Sequence, residues 1–338
     1  MATDVAIPQP SDGGSAEGPS SRPRRGLVLG GGGILGAAWT IGALCALEEA
    51  LDWDPRTADV ILGTSAGAII ASGLALGVRT SELRDHQRGL EVTTGPLRGV
   101  RVDYDTWVGG ARPMRPGMGM GSPRLLRGLA LHPRRLPLPT MIAALLPPGR
   151  GPLLGVRSAF AALNPSNAWP AGDALRIVSV DFDSGDRVVF GTPGAPRVGL
   201  ADAVVASCAL PAWFAPIPID GHRYIDGGVW SETNLDLMAP GGLDEVFVLA
   251  PTATRTTDQP HGVANRLDRR LRHTASRRVL REAKLVRDAG AKVRIIAPSP
   301  ADLTVMGANL MDATRRLTVL ETSLRTTAAL HPPAATRR

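Results

Sequence analysis

Apolar residues in this chain fall first into short uncharged runs broken by small residues, then into longer runs with helical spacing. Gly26-Leu-Val-Leu29 predicts a short buried strand that runs directly into Gly30-Gly-Gly-Gly-Ile-Leu-Gly36. Ala37–Leu51 continues with the period of a helix. Asp59–Leu62 predicts a second strand, followed by Gly63-Thr64-Ser65-Ala66-Gly67 and a helix to about Gly77. Ser81-Glu82 predicts the opening of an amphipathic helix with Ser81 at the N-cap. Further along, Leu175–Val180 and Arg187–Phe190 predict two strands joined by the turn Asp183-Ser-Gly-Asp186. Leu200–Leu210 is a small-residue helix stopped by Pro211. Arg223–Ile225 is a short strand that ends in Asp226-Gly227-Gly228. Asp244–Leu249 predicts a central strand, Asn265–Asp288 a long basic helix and Lys292–Ala297 a last strand, with Ala301–Thr327 largely helical. There is no internal repeat. Apolar strands alternating with helices predict an α/β protein whose sheet is mostly parallel and covered on both faces.

Two stretches depart from this alternation. Residues 1–24 are rich in Ser, Gly, Pro and Asp and predict a disordered tail. They lack a basic region followed by an apolar run, so no secretory signal is expected. Residues 95–157 carry Pro and Gly too often for long regular elements. There Arg98, Arg101, Arg112, Arg115, Arg124, Arg127, Arg134, Arg135, Arg150 and Arg157 face only Asp103 and Asp105, with Met114, Met118 and Met120 among glycines. This basic segment reads either as an irregular solvated insertion or as a lid or interfacial surface for anionic headgroups and acyl chains. The uncharged stretch Val60–Val78 is about long enough to span a bilayer. Its four glycines and the β-branched run that opens it favour a buried strand, turn and helix instead, so no transmembrane helix is expected.

The 338 residues allow one large domain or two small ones. An apolar content of 43% with 20% charged residues suits a globular protein. The net charge of +7 points to anionic partners. Aromatic residues make up 4%, too few for base-stacking platforms, which argues against nucleic acid. Cys45 and Cys208 lie in apolar surroundings. They predict no disulfide framework and suit a reducing, cytoplasmic compartment.

The chemistry centres on Gly63-Thr64-Ser65-Ala66-Gly67, a G-x-S-x-G between a strand and a helix. A nucleophile elbow needs such a turn, with Gly63 and Gly67 leaving room around an exposed serine Oγ. Ser65 is the candidate nucleophile of an acyl hydrolase. The backbone N–H groups of Gly31, Gly32 and Gly33 follow a strand and open a helix, a favourable place for a developing oxyanion, with that of Ala66 as a further donor. The same glycines match the dinucleotide fingerprint Gly31-x-Gly33-x-x-Gly36, but the second strand ends without the acidic residue that holds a ribose. For the base, Asp226 ends a strand and is followed by Gly227 and Gly228, which leave its carboxylate approachable. A Ser–Asp–His triad through His261 or His273 is the alternative, although none of the six histidines has site-like small neighbours.

These three motifs, in this order, resemble the patatin-like phospholipase family: Gly31-Gly-Gly-Ile-Leu-Gly36, Gly63-Thr-Ser-Ala-Gly67 and Asp226-Gly-Gly228. Ala206-Ser-Cys-Ala-Leu-Pro211, Phe214-Ala-Pro216 and Tyr224-Ile-Asp226 also look like that family's approach to its aspartate. The resemblance covers roughly residues 26–242. It implies a three-layer α/β/α sandwich with a mostly parallel central sheet. It implies a Ser65–Asp226 dyad with no histidine, an oxyanion hole in the glycine loop, and hydrolysis of lipid acyl esters with no metal or cofactor. Gly36, Gly63, Gly67, Gly227 and Gly228 would support the motifs. One departure is Leu35, where many members carry a cation; it suits a neutral lipid or another acyl ester as well as a phospholipid. The expected organisation is a tail at 1–24, a hydrolase domain at 25–298 and a C-terminal helix and tail at 299–338. The expected partners are the lipid substrate and, at the periphery, an anionic membrane surface. A catalytically inactive membrane-binding regulator is the rival class.

Overall fold

The computed structural model describes residues 22–100, 121–125, 141, 145–254 and 262–330. The expected tail before Arg22 and most of the basic insertion, including Arg101, Arg112, Arg115, Met114, Met118, Met120, Arg127, Arg134 and Arg135, lie outside the described residues.

Eight strands form one mixed sheet in the order β5-β6-β3-β2-β1-β7-β8, with β4 also paired to β3. They are β1 (Arg25–Leu29), β2 (Val60–Thr64), β3 (Leu175–Asp181), β4 (Arg187–Phe190), β5 (Ile217–Ile219), β6 (His222–Asp226), β7 (Glu245–Leu249) and β8 (Lys292–Ile296). The pairs among β3, β2, β1, β7 and β8 are parallel, and β4, β5 and β6 join antiparallel. Helices cover both faces, as expected for a three-layer α/β/α arrangement. Alternation along the strands sorts their side chains. Leu27, Leu29, Ile61, Phe247 and Leu249 enter one core, with α1 (Gly33–Leu51), α2 (Ala66–Ala75), α5 (Leu200–Ser207) and α8 (Arg316–Leu330). Val28, Val60, Leu62, Val246 and Val248 enter the other, against Val279, Ala283 and Val286 of α6 (Val263–Asp288). Among the described residues the remaining α-helices are α3 (Thr80–Gln87), α4 (Leu154–Leu163) and α7 (Pro300–Met306).

Among the described residues α1, rather than Val60–Val78, is the helix long and apolar enough to cross a membrane. It is instead the core helix of the fold, with 78% of its apolar window buried. α8 crosses it closely: the Ser323 hydroxyl donates to the Trp39 carbonyl at 2.7 Å, and a Cβ on Gly42 would lie 2.7 Å from the Leu320 carbonyl oxygen.

Local expectations are refined at two places and corrected at one. β7 stands beside the edge strand β8, while β1 and β2 occupy the centre. α3 is capped by Arg79, not Ser81, because the Glu82 carboxylate accepts the Arg79 N–H at 2.7 Å and starts the helix earlier. Ala301–Thr327 is largely helical, as expected, with a break at Gly307 (φ 63°), and the chain between α7 and α8 turns Leu310 and Met311 towards the cavity described below.

The register around β3 places the site. β2 runs parallel to β3 and ends with Thr64 opposite Val178. β6 runs antiparallel and ends with Asp226 opposite Ser179. β4 pairs Ile177, Val178, Ser179 and Val180 of β3, so it overlaps both β2 and β6 and must occupy the other edge. β2 and β6 therefore share one edge of β3 and meet end to end at consecutive residues. α2 then leaves the elbow so close to β1 that a Cβ on Gly67 would overlap the Leu29 carbonyl. Gly67→Ala is expected to lower stability by about 2–3 kcal/mol, read from the urea midpoint. Gly73→Ala, whose Cβ would come no nearer than 3.8 Å, to Leu83 Cδ2, stays within about 1 kcal/mol of wild type. Equal midpoints for the two variants would contradict this packing.

Candidate active site

Ser65 lies between β2 and α2 with φ 54° and ψ −123°, a conformation that costs a non-glycine residue about 1–3 kcal/mol. Its surroundings hold it there. The Ser65 N–H donates to Ser207 Oγ at 2.9 Å, and the Ser207 hydroxyl donates to the Val178 carbonyl at 2.6 Å. The elbow is thus moored to β3 through α5. One residue on, Ala66 opens α2.

Asp226 is buried at 3% exposure and turns at once into Gly227–Val229. Its N–H donates to the Ala209 carbonyl at 3.0 Å, and its Oδ1 accepts the Gly228 N–H at 2.7 Å. Burial raises its carboxyl to about 6, against the opposing hydrogen bonds from the Ser65 hydroxyl and the Gly228 amide. Asn234 links the two segments. Its Nδ2 donates to Thr64 Oγ1 at 3.1 Å and to the Ser231 carbonyl at 2.6 Å, and reaches the Gly227 carbonyl at 3.4 Å.

Ser65, Ala66, Gly32, Gly33, Asp226 and Gly228 line one cavity of about 350 Å³. Its walls are mostly apolar, with Ile34, Ile69, Leu153, Val156, Phe214 and Met311. Gly33 and Ala66 start α1 and α2, so their N–H groups have no intrahelical acceptor. Gly31 corrects an expectation. Its N–H is already given to the Glu232 carbonyl at 2.9 Å, so it is not free for an oxyanion. Gly63, Gly67 and Gly227 serve close packing: a Cβ on Gly63 would lie 2.5 Å from Ala68 Cα, and one on Gly227 would overlap the Val178 carbonyl, whereas one on Gly36 would meet only the Pro251 ring at 3.4 Å.

Glu232 is the residue that sequence reasoning missed. It lines the same cavity, half-buried because its carboxyl meets that space. A Cβ placed on Gly31 would lie 3.4 Å from Glu232 Oε2 and 3.1 Å from Ser65 Cβ. One placed on Gly228 would lie 3.2 Å from Glu232 Oε2 and 3.0 Å from Asp226 Oδ1. Its carboxyl thus sits between the glycine loop and the Asp-Gly-Gly turn. Among the described residues it has no side-chain hydrogen bond. Burial first, then the charge of Asp226, raise it to about 8; Arg278 and Arg272 pull it down and Glu282 pushes it up. The only sequence signal is its position as the acid in Trp230-Ser-Glu-Thr-Asn234, just after the glycines.

Cys208 also borders the cavity, but burial pushes its thiol far up, so it is not a thiolate. Among the described residues no histidine lines the cavity. His86 Nε2 contacts the Val100 carbonyl, His222 Nδ1 contacts Asp181 Oδ2 at 2.7 Å, and His273 lies on α6. His132, His261 and His331 are outside the described residues. Among the described residues no group of three or more His, Cys, Asp or Glu is placed to hold a metal ion.

The geometry defines an α/β protein with a serine on a strained strand-to-helix turn hydrogen-bonded to a buried carboxylate at the wall of an apolar cavity. A family model described as patatin-like phospholipase matches residues 27–239, and the chain belongs to that family. The class of activity this supports is lipid hydrolysis. No curated protein matches the chain. Among solved structures it is similar to VipD from Legionella pneumophila, at 17% identity over 90% of this chain and 68% of that one, with a TM-score of 0.38. It is also similar to the type III effector ExoU, at 20% identity and a TM-score of 0.30. That match covers 90% of this chain, which spans about half of ExoU's length, 53%. At these values the two effectors contribute nothing to the assignment, which rests on the family match.

Ser207→Ala would leave the buried Ser65 N–H and Val178 carbonyl without their shared partner. It is expected to cost about 1–3 kcal/mol of stability by chemical denaturation. An unchanged midpoint would show that the elbow is held some other way.

Proposed function

We propose that this protein hydrolyses lipid acyl esters through a Ser65–Asp226 dyad. The observation that carries the reading is the pairing of a strained, cavity-facing Ser65 with the buried carboxylate of Asp226. Asp226 accepts the Ser65 proton as Oγ attacks the ester carbonyl. The amides of Gly32, Gly33 and Ala66 stabilise the oxyanion, each such donor contributing about 3–4 kcal/mol to the barrier. The alcohol leaves with the proton, an acyl-enzyme remains, and Asp226 activates the water that releases the fatty acid. The apolar walls suit an acyl chain, and no step calls for a metal or cofactor.

The hydrolytic unit proposed here runs from residue 25 to 330. The segment after 298, set apart in the sequence reading, supplies cavity wall through Leu310 and Met311 and core through Val319 and Leu320. Free Cys45 and Cys208 fit a reducing compartment.

Glu232 sets an upper pH limit in this scheme. As a neutral acid it adds no charge beside Asp226; once ionised, it places a second negative charge next to the oxyanion loop. Asp226 must be deprotonated, so activity falls below about 6. Glu232 must be protonated, so activity falls above about 8. The charged groups facing Glu232 are Asp226, Arg272, Arg278 and Glu282. The expected kcat/KM profile is a bell between those values, and Glu232→Gln keeps the acidic limb while losing the alkaline one. An alkaline limb unchanged in Glu232→Gln would remove Glu232 from the account. Ser65→Ala and Asp226→Asn are each expected to reduce hydrolysis of a short p-nitrophenyl ester by at least about a thousandfold with circular dichroism unchanged. Full activity in Asp226→Asn would overturn the dyad.

A further inference from the structure

α6 is a 26-residue helix with two unlike faces. The inner face buries Val279, Ala283 and Val286, and Glu282 anchors it by accepting the Thr233 hydroxyl at 2.8 Å and the Leu235 N–H at 3.0 Å. The outer face joins two side-chain types that water does not favour together. Val263, Leu267 and Leu271, spaced four apart, form a ridge with exposures of 82%, 57% and 63%. Exposed Arg270, Arg277 and Arg281 run along the same face. Carboxylates are nearly absent from it. Asp268 turns to Arg272 at 2.9 Å, and Asp288, at the far end, is held by Lys284 at 2.6 Å.

The position of this face matters as much as its composition. Arg272 Nη1 donates to the Pro251 carbonyl at 2.7 Å, and Ser276 Oγ accepts the Thr254 N–H at 2.8 Å. These contacts fix the middle of α6 beside the loop after β7, where Thr252 lines the cavity. Residues 263–271 continue past that level for about 13 Å at the rise of an α-helix. The apolar ridge therefore projects at the end of the sheet where the cavity lies.

We propose that the outer face of α6 docks on an anionic lipid bilayer, with the Val263–Leu267–Leu271 ridge among acyl chains and Arg270, Arg277 and Arg281 on lipid phosphates. This deepens the lipid-hydrolase reading by giving the cavity a membrane to face. Charge complementarity selects the occupant. A second copy docking face to face would bring like arginines together. Nucleic acid would reward the arginines but leave the leucines in water. A bilayer interface satisfies both. The chain's net charge of +7 acts in the same direction.

The test is flotation of the full chain, made Ser65→Ala so that lipid turnover plays no part. The vesicles are phosphatidylcholine alone, or phosphatidylcholine with phosphatidylserine. The protein is expected to float with the anionic vesicles only and to be released by high salt. Arg270→Glu, Arg277→Glu and Arg281→Glu together should weaken partitioning about a hundredfold. Leu267→Ser with Leu271→Ser should weaken it about tenfold. Placed in the chain that keeps Ser65, both sets should leave circular dichroism and hydrolysis of a soluble ester unchanged. Failure of the folded Ser65→Ala chain to float, or flotation of both variants like it, would overturn the proposal. Displacement by a DNA duplex with the leucine variant unaffected would assign the face to nucleic acid. A dimer in sedimentation that Leu267→Ser dissolves would assign it to a second copy. Flotation without ester hydrolysis would remove the dyad and leave the docking surface standing; hydrolysis without flotation would do the reverse.

Discussion

The fold depends on one register. β2 and β6 approach the same edge of β3 from opposite directions and stop at Val178 and Ser179. Two loops that would otherwise be far apart are forced together at that point. One must turn from strand into helix, and the other must turn back on itself within two glycines. The packing nearby follows from the lack of space where they meet. Gly63, Gly67 and Gly227 stand where a Cβ would strike backbone atoms. Ser207 and Asn234 supply the hydrogen bonds that ordinary secondary structure cannot supply across such a junction.

The same crowding shapes the electrostatics. Asp226 and Glu232 share an enclosed apolar space, and both are raised, to about 6 and about 8. The two differ in support. Asp226 accepts a backbone N–H, which favours its charged form, whereas the Glu232 carboxyl has no hydrogen bond among the described residues and meets the field of Asp226. Two carboxyls of similar ordinary acidity are thus separated into one suited to take a proton and one suited to hold it.

Much of the fold was legible in the sequence because it rests on local pattern. The runs at 26–29 and 59–62, the small-residue turn after each and the alternation with helices were enough to read an α/β sheet with covered faces. The sequence also singled out Gly32, Gly33, Ser65, Ala66, Asp226 and Gly228, which meet in one cavity. What stayed illegible depends on distant partners. Gly31 looks like any other glycine of its loop, and only the Glu232 carbonyl distinguishes its amide. Glu232 reads as a surface acid until the fold encloses it. The place of β7 beside the edge follows from pairing with β8, which no local run encodes. The basic helix at 265–288 was visible as basic, but the division of its faces and its overhang depend on where Arg272 meets Pro251.

The central claim is that Ser65 forms a covalent acyl-type intermediate. Its most direct test is to react the purified full-length protein with a fluorophosphonate ester and locate the adduct by tandem mass spectrometry of its peptides. The account predicts a single stoichiometric adduct on Ser65, formed far more slowly when Asp226 is replaced by Asn. An adduct on any other residue, or equally fast labelling of Ser65 without Asp226, would contradict it.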